Sequence, residues 1–164
     1  MRLVLRRPQA TDLAPYTVYC TSDHARFVGG PFTAESAFEK LAAMIGHWDL
    51  RGFGRLVICE RATMRPVGHV GAMQISANDP AEMTWTLWSP DDQGKGYAYE
   101  AARAYLDTAR ANYGFATLIA RIAPDNLRSL RLARRLGGTI QETHPAPHWF
   151  PDARIYAFVL DESA

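Results

Sequence analysis

Apolar and polar residues alternate along Arg2-Leu3-Val4-Leu5-Arg6, a period of two that predicts a strand over residues 2–6, closed by Pro8. Thr11 and Asp12 then offer a cap for a short helix carrying Leu13, Tyr16, Val18 and Tyr19, and Gly29-Gly30-Pro31 turns the chain. Over residues 33–48 the period becomes that of a helix. Thr33 is its expected cap, Glu35 and Glu39 lie near its positive end, and Phe38, Leu41, Met44 and Ile45 form its apolar face. Residues 53–60, 67–76 and 83–88 read as three strands that pair antiparallel, the first two joined by the polar turn 61–66.

A second helix pattern covers residues 96–113, with Ala98, Ala101, Ala102, Tyr105 and Ala109 at helical spacing. Their small side chains allow close approach to a sheet, and Gly114 ends the helix. The strand expected over 116–122 is parallel to 83–88, because a helix connects them by a right-handed crossover. Asp125 is the expected cap of a last helix, which Gly137-Gly138 stops. Two further strands, over 139–143 and 154–160, flank a proline-rich stretch at 144–151. The order predicts one α/β domain of the α+β type over residues 1–164. Its central sheet is mixed and mostly antiparallel, with about seven strands and about four flanking helices.

The chemistry concentrates at two segments. At the start of the 96–113 helix stands Gln93-Gly94-Lys95-Gly96-Tyr97-Ala98. Small residues let the backbone close around a ligand, and the helix end directs unpaired N–H groups at the same point, which suits a phosphate or pyrophosphate. The turn has neither the P-loop spacing, since Gly96 follows Lys95 where a hydroxyl is needed, nor the G-x-G-x-x-G of a dinucleotide site. About thirty residues on comes Asn126-Leu127-Arg128-Ser129-Leu130-Arg131-Leu132-Ala133-Arg134-Arg135-Leu136-Gly137.

The first segment, Q-x-x-G-x-A after a strand, resembles the acyl-CoA pyrophosphate loop of the GNAT N-acetyltransferase superfamily. The second resembles its N-x-x-S-x-x-x-A-x-x-L-G helix. Arg26-Phe27-Val28-Gly29-Gly30-Pro31 and Gly52-Phe53-Gly54 extend the likeness toward the ribosomal-protein N-terminal acetyltransferase branch. The resemblance implies a parallel strand pair that splays near Leu87–Trp88, leaving backbone groups for pantetheine. It also implies acetyl-CoA as co-substrate, held by the backbones of Trp88 and of Gln93, Gly94, Lys95, Gly96, Tyr97 and Ala98, and by Asn126, Ser129 and Arg135. The tyrosine that protonates the thiolate in many members is replaced by Ala133, and Ser129 stands where the ribosomal-protein branch carries a serine credited with that role.

For a general base the candidates are Glu82, which begins the strand next to the splayed pair, where the resemblance implies a carboxylate, and His144, with His148 in the same loop. Cys20 and His24 stand four apart without a third orienting group, which argues against a thiol nucleophile. No metal is expected, since Pro145 and Pro147 forbid the helix that would join the two histidines and no cysteine cluster exists. Phe27, Phe32, Trp48, Trp85, Trp149 and Phe150 divide between the core and an acceptor pocket.

Composition narrows the class. A net charge of +1 gives no polyanion footprint, so no nucleic acid partner is expected. Two cysteines form no disulfide framework, no apolar run reaches membrane-spanning length, and a cytoplasmic protein with no membrane association follows as the expectation. The expected activity is acetyl transfer to a primary amine, on a protein N-terminus or a small molecule. A non-catalytic acyl-CoA-binding or sensing module on the same fold is the alternative, and a homodimer is left open.

Overall fold

The computed structural model describes residues 1–142 and 146–160. Among these, seven strands form one sheet: β1 (Leu3–Arg6), β2 (Arg55–Glu60), β3 (Pro66–Met73), β4 (Glu82–Leu87), β5 (Thr117–Ile122), β6 (Thr139–Ile140) and β7 (Arg154–Val159). The helices are α1 (Leu13–Cys20), α2 (Ala34–Arg51), α3 (Tyr97–Tyr113) and α4 (Leu127–Arg135). Short 3-10 turns occupy Ala10–Asp12, Asp23–Val28 and Pro90–Asp92.

The strand order is β1-β2-β3-β4-β5-β7-β6. Neighbours are antiparallel except β4 and β5, which run parallel and share a single rung, Glu82 opposite Ile119. On its other edge β5 stays paired to β7 over its whole length, from Thr117–Val159 to Ile122–Arg154. The sheet therefore opens along one seam, between the C-terminal parts of β4 and β5.

Alternation along the strands divides the core into two layers. Ile58, Val70, Ala72, Met83, Leu118 and Ala120 pack on the α3–α4 side, where Ala101, Ala102 and Ala109 let α3 lie close. Val57, Cys59 and Trp88 pack on the opposite side against Tyr16, Tyr19 and Cys20 of α1 and Leu41 and Met44 of α2.

Local signals set the helix ends. Thr33 caps α2 by accepting the Ser36 N–H, and Gly52 closes it in the left-handed region at φ 75°. At α4 the cap is Asn126, not Asp125: its Oδ1 accepts the Ser129 N–H at 3.2 Å, so the helix starts one residue later than expected. Phe38 is also not on the buried face of α2. That face is Ala37, Leu41, Met44 and Trp48, and Phe38 stands one residue round from it, 60% exposed. Of the strand expected over 139–143, Thr139 and Ile140 pair in register with β7 and the Gln141 N–H still donates to the Ile155 carbonyl at 2.8 Å, while residue 143 lies outside the described residues.

Candidate functional site

The open seam and the start of α3 face one another. Gly94 and Gly96 take left-handed φ values of 75° and 79°, and a Cβ on either would meet no heavy atom closer than 3.5 Å. Their lack of a side chain serves the turn's conformation and leaves the backbone bare on its outer side. The helical ladder begins with Glu100 N–H donating to the Gly96 carbonyl, so the N–H groups of Tyr97, Ala98 and Tyr99 precede it and point out of the helix end. This cradle fits a phosphate or pyrophosphate.

Side chains of the same loop point away from the cradle and hold it in place. Asp92, only 1% exposed, accepts Nη1 and Nη2 of Arg65 at 2.9 and 2.7 Å and Nζ of Lys95 at 3.0 Å. Arg65, and less strongly Lys95, keeps the Asp92 carboxyl below the usual range against the pull of burial. The Tyr97 hydroxyl donates to Glu60 Oε1 at 2.9 Å, and Gln93 Nε2 lies 3.2 Å from His24 Nε2. Lys95 and Tyr97 thus offer the cradle their backbones. Beside Gly96 a groove of about 440 Å³ is bordered by Arg2, Arg103 and Arg135, with the Arg135 guanidinium 3.9 Å from the Tyr99 ring.

Within the seam, the backbone groups expected to be free around Leu87–Trp88 do not include the Trp88 N–H. That N–H donates to the Val67 carbonyl at 2.8 Å, and the buried Trp88 indole donates to His69 Nδ1 at 2.9 Å. Backbone groups alternate between the two edges of a strand, so it is Leu87 and Trp85 that turn their N–H and C=O groups toward β5, beyond the last rung. Ser129 reaches the same seam from α4, where its Oγ accepts the Trp85 indole N–H at 2.9 Å. Asn126 spends its side-chain oxygen on the α4 cap, one turn before Ser129. Ala133, where a tyrosine is absent, is fully buried.

On the α1–α2 face of the sheet, next to the seam, lies a cavity of about 520 Å³. Glu82 borders it, and its carboxylate is held by Arg121 Nη1 at 2.5 Å. Arg121 in turn lies 5.5 Å from the Trp149 ring. From the aromatic set, Phe32 and Trp149 line this cavity, whereas Trp48 is buried with its indole donating to the Arg55 carbonyl and Trp85 packs toward α4. His144 lies outside the described residues. His148 is exposed and forms no part of the cavity wall. Cys20 and Cys59 are buried free thiols, and burial pushes both above their ordinary pKa, away from the thiolate a nucleophile needs. Among the described residues no three His, Cys, Asp or Glu side chains converge as a metal site requires.

The site thus combines a bare-backbone cradle at the start of α3, an open seam between β4 and β5, and a serine hydrogen-bonded to Trp85 of β4. Residues 2–139 match the acetyltransferase (GNAT) domain. The chain belongs to the GNAT acetyltransferase family. An acetyltransferase from Agrobacterium tumefaciens strain C58 is 30% identical with a TM-score of 0.87, covering 96% of this chain and 90% of that one. RimL, the ribosomal L7/L12 alpha-N-protein acetyltransferase, shares the GNAT fold at 19% identity and a TM-score of 0.78, covering 98% and 96%. A Bacillus subtilis strain 168 protein, the uncharacterized N-acetyltransferase YnaD, is 28% identical over 100 residues, which span 58% of each chain. No helix among the described residues is long and apolar enough to cross a membrane.

Arg55, His69, Arg121 and the Asp92–Arg65 pair escaped the sequence reading. Only the alternation of polar residues within β2, β4 and β5 signals a polar face there, and it does not say which strands come together.

Proposed function

We propose that this GNAT protein transfers an acetyl group from acetyl-CoA to a primary amine by direct attack. The observation that carries the reading is the seam between β4 and β5. It opens beyond the single rung at Glu82 and Ile119, runs toward the Gly94–Gly96 cradle, and has Ser129 on its edge. In this reading the cradle and Arg135 hold the phosphates, and the seam-facing backbone of Trp85 and Leu87 holds the pantetheine arm. The thioester supplies an activated acyl carbon and a good leaving group. The acceptor amine enters from the 520 Å³ cavity on the other side of the sheet.

Ser129 is suited to the thiolate. Its oxygen already accepts from Trp85, so its own O–H is the group left to donate, and a seam-facing sulfur is the acceptor it serves. Glu82 stands where seam and cavity meet and takes the amine proton, directly or through a water, by loosening its contact with Arg121.

Support for the co-substrate comes from the fold neighbours. YncA of Salmonella typhimurium, 22% identical with a TM-score of 0.76, holds acetyl-CoA, and RimL holds coenzyme A. Their acceptors diverge: a spermidine N-acetyltransferase of Vibrio cholerae, 18% identical with a TM-score of 0.76, is complexed with CoA and spermine. A panel of amines incubated with acetyl-CoA, read by free-thiol release and by mass of the acetylated product, tests the activity. Tight acetyl-CoA binding without amine-dependent release overturns it and leaves a binding or sensing module.

A further inference from the structure

The cavity on the α1–α2 face contains a positive charge that has no partner among the described residues. Arg55 of β2 lines it, and among the described residues its guanidinium makes no ion pair and no hydrogen bond; its Nε is shut off from solvent as well. Three buried side-chain polar atoms lack a partner among the described residues: Arg55 Nε, Thr84 Oγ1 and Arg121 Nε. All three belong to side chains of this one cavity wall. Buried polar groups are nearly always satisfied, so three together mark a place where a polar ligand belongs.

The sheet register explains the grouping. Arg55 pairs with Gly71 and Gly71 with Thr84, which makes one row across β2, β3 and β4 with no side chain at its centre. His69 lies in the adjacent row, opposite Val57 and Thr86. An indole N–H only donates, so the bond from Trp88 makes His69 Nδ1 an acceptor and leaves the proton on Nε2. Burial and the nearby Arg55 hold His69 well below its ordinary pKa, so this neutral tautomer persists at physiological pH. Arg55, His69 and Thr84 therefore give the wall a surplus of donors.

The other charges do not cancel Arg55. Lys40 and Asp79 are exposed at the mouth. Glu82 acts on Arg55 only at a distance, its carboxylate being taken by Arg121. What the wall lacks is one carboxylate, the group that matches a guanidinium fork.

We propose that the acceptor is a small molecule carrying both the amine and a carboxylate, with Arg55 gripping the carboxylate and His69 and Thr84 as further donors. This inference rests on the acetyltransferase reading. With the carboxylate at Arg55, the amine is directed to the Glu82 end of the cavity, beside the seam. Phe32, Met73 and Trp149 border the remaining space and favour an apolar side chain on the acceptor. A polyamine, which has only cationic groups, would leave Arg55 facing like charge.

The test compares leucine, leucinamide and spermidine as acceptors, and N-acetylleucine with N-acetylleucinamide as binding probes, in the wild-type chain and in Arg55→Gln and Arg55→Lys. Calorimetry of the wild type should show the acid probe bound about tenfold to a hundredfold more tightly than the amide, the range of a charge-assisted pair. In Arg55→Gln that ratio should fall to within about threefold of unity, with Arg55→Lys between, and the acid-to-amide ratio of kcat/KM should fall in parallel. If Arg55→Gln does not fold, the wild-type probe ratio alone decides. Equal binding of the two probes, faster turnover of spermidine than of leucine, or acceptance only of peptide N-termini overturns the proposal. Selective binding of the acid probe without acetylation of any amine would instead uphold the carboxylate site and sink the catalytic reading.

Discussion

The indole N–H of Trp85 on β4 donates to Ser129 Oγ on α4 at 2.9 Å, a bond between residues 44 positions apart that ties the last helix to the open seam. It fixes the serine oxygen as an acceptor from one side and leaves its hydrogen to point elsewhere. Ser129→Ala should lower kcat about tenfold to a hundredfold, at the low end of general acid catalysis because a thiolate leaves readily, with little change in acetyl-CoA affinity. Trp85→Phe should lower kcat by about twofold to tenfold, the range of one neutral hydrogen bond. A Ser129→Ala protein with wild-type kcat, chemistry being rate-limiting, would reduce this residue to a helix contact.

Acetyl-CoA affinity should depend on the bare backbone of the cradle. Gly96→Val forces a branched side chain into a left-handed conformation, a strain of about 1–2 kcal/mol, and covers the N–H groups of α3. We expect a folded protein with at least about tenfold weaker acetyl-CoA binding. Gly114→Val places similar strain at the other end of α3, φ 73°, and should leave affinity unchanged. Equal affinities in all three proteins, measured by calorimetry, would remove the phosphate site from this loop.

Two buried groups set separate acid limits on stability. Asp92 has a folded pKa depressed chiefly by Arg65, so its contribution is full above the unfolded value near 3.9 and is lost as pH falls through the folded value. Asp92→Asn should cost about 1–3 kcal/mol at pH 7 and flatten the denaturation profile below about pH 4. His69 is also depressed, by burial and by Arg55. The unfolded chain takes up its proton below about pH 6.5 while the folded chain does not, so stability declines from there downward. Denaturant titrations at stepped pH should show the upper decline reduced in His69→Phe, with the remainder from His24, which burial also depresses, and the lower one reduced in Asp92→Asn.

Much of this architecture was legible in the chain. The Thr33 cap, the Gly114 stop and the alanine face of α3 are local signals, and each acts over a few residues. The Gly52 stop was not among them, since α2 runs to Arg51, three residues past the expected Trp48. The cradle was legible for the same reason, since its glycines and helix end are contiguous. The acceptor wall was not: Arg55, His69 and Thr84 stand on three strands and meet only through sheet register. Trp88 misled because strand parity, which decides which edge an N–H faces, depends on the pairing with Val67 and not on any residue type.

Proton removal should separate from the carboxylate grip. Glu82→Gln should lower the high-pH plateau of kcat about tenfold or more while leaving acetyl-CoA binding intact. His144→Ala serves as the companion variant, since the sequence offers that histidine as the other base. If neither variant alters the pH–rate profile, the amine reaches the thioester already deprotonated and neither side chain is the base.

Acetyl transfer across the β4–β5 seam is tested most directly by incubating the purified protein with acetyl-CoA and an amine panel and following free thiol and acetylated product together. Thiol should be released one-for-one with N-acetylated amine, dependent on both substrates and reduced about tenfold or more in Ser129→Ala. Saturable acetyl-CoA binding with no amine-dependent thiol from any acceptor would contradict it.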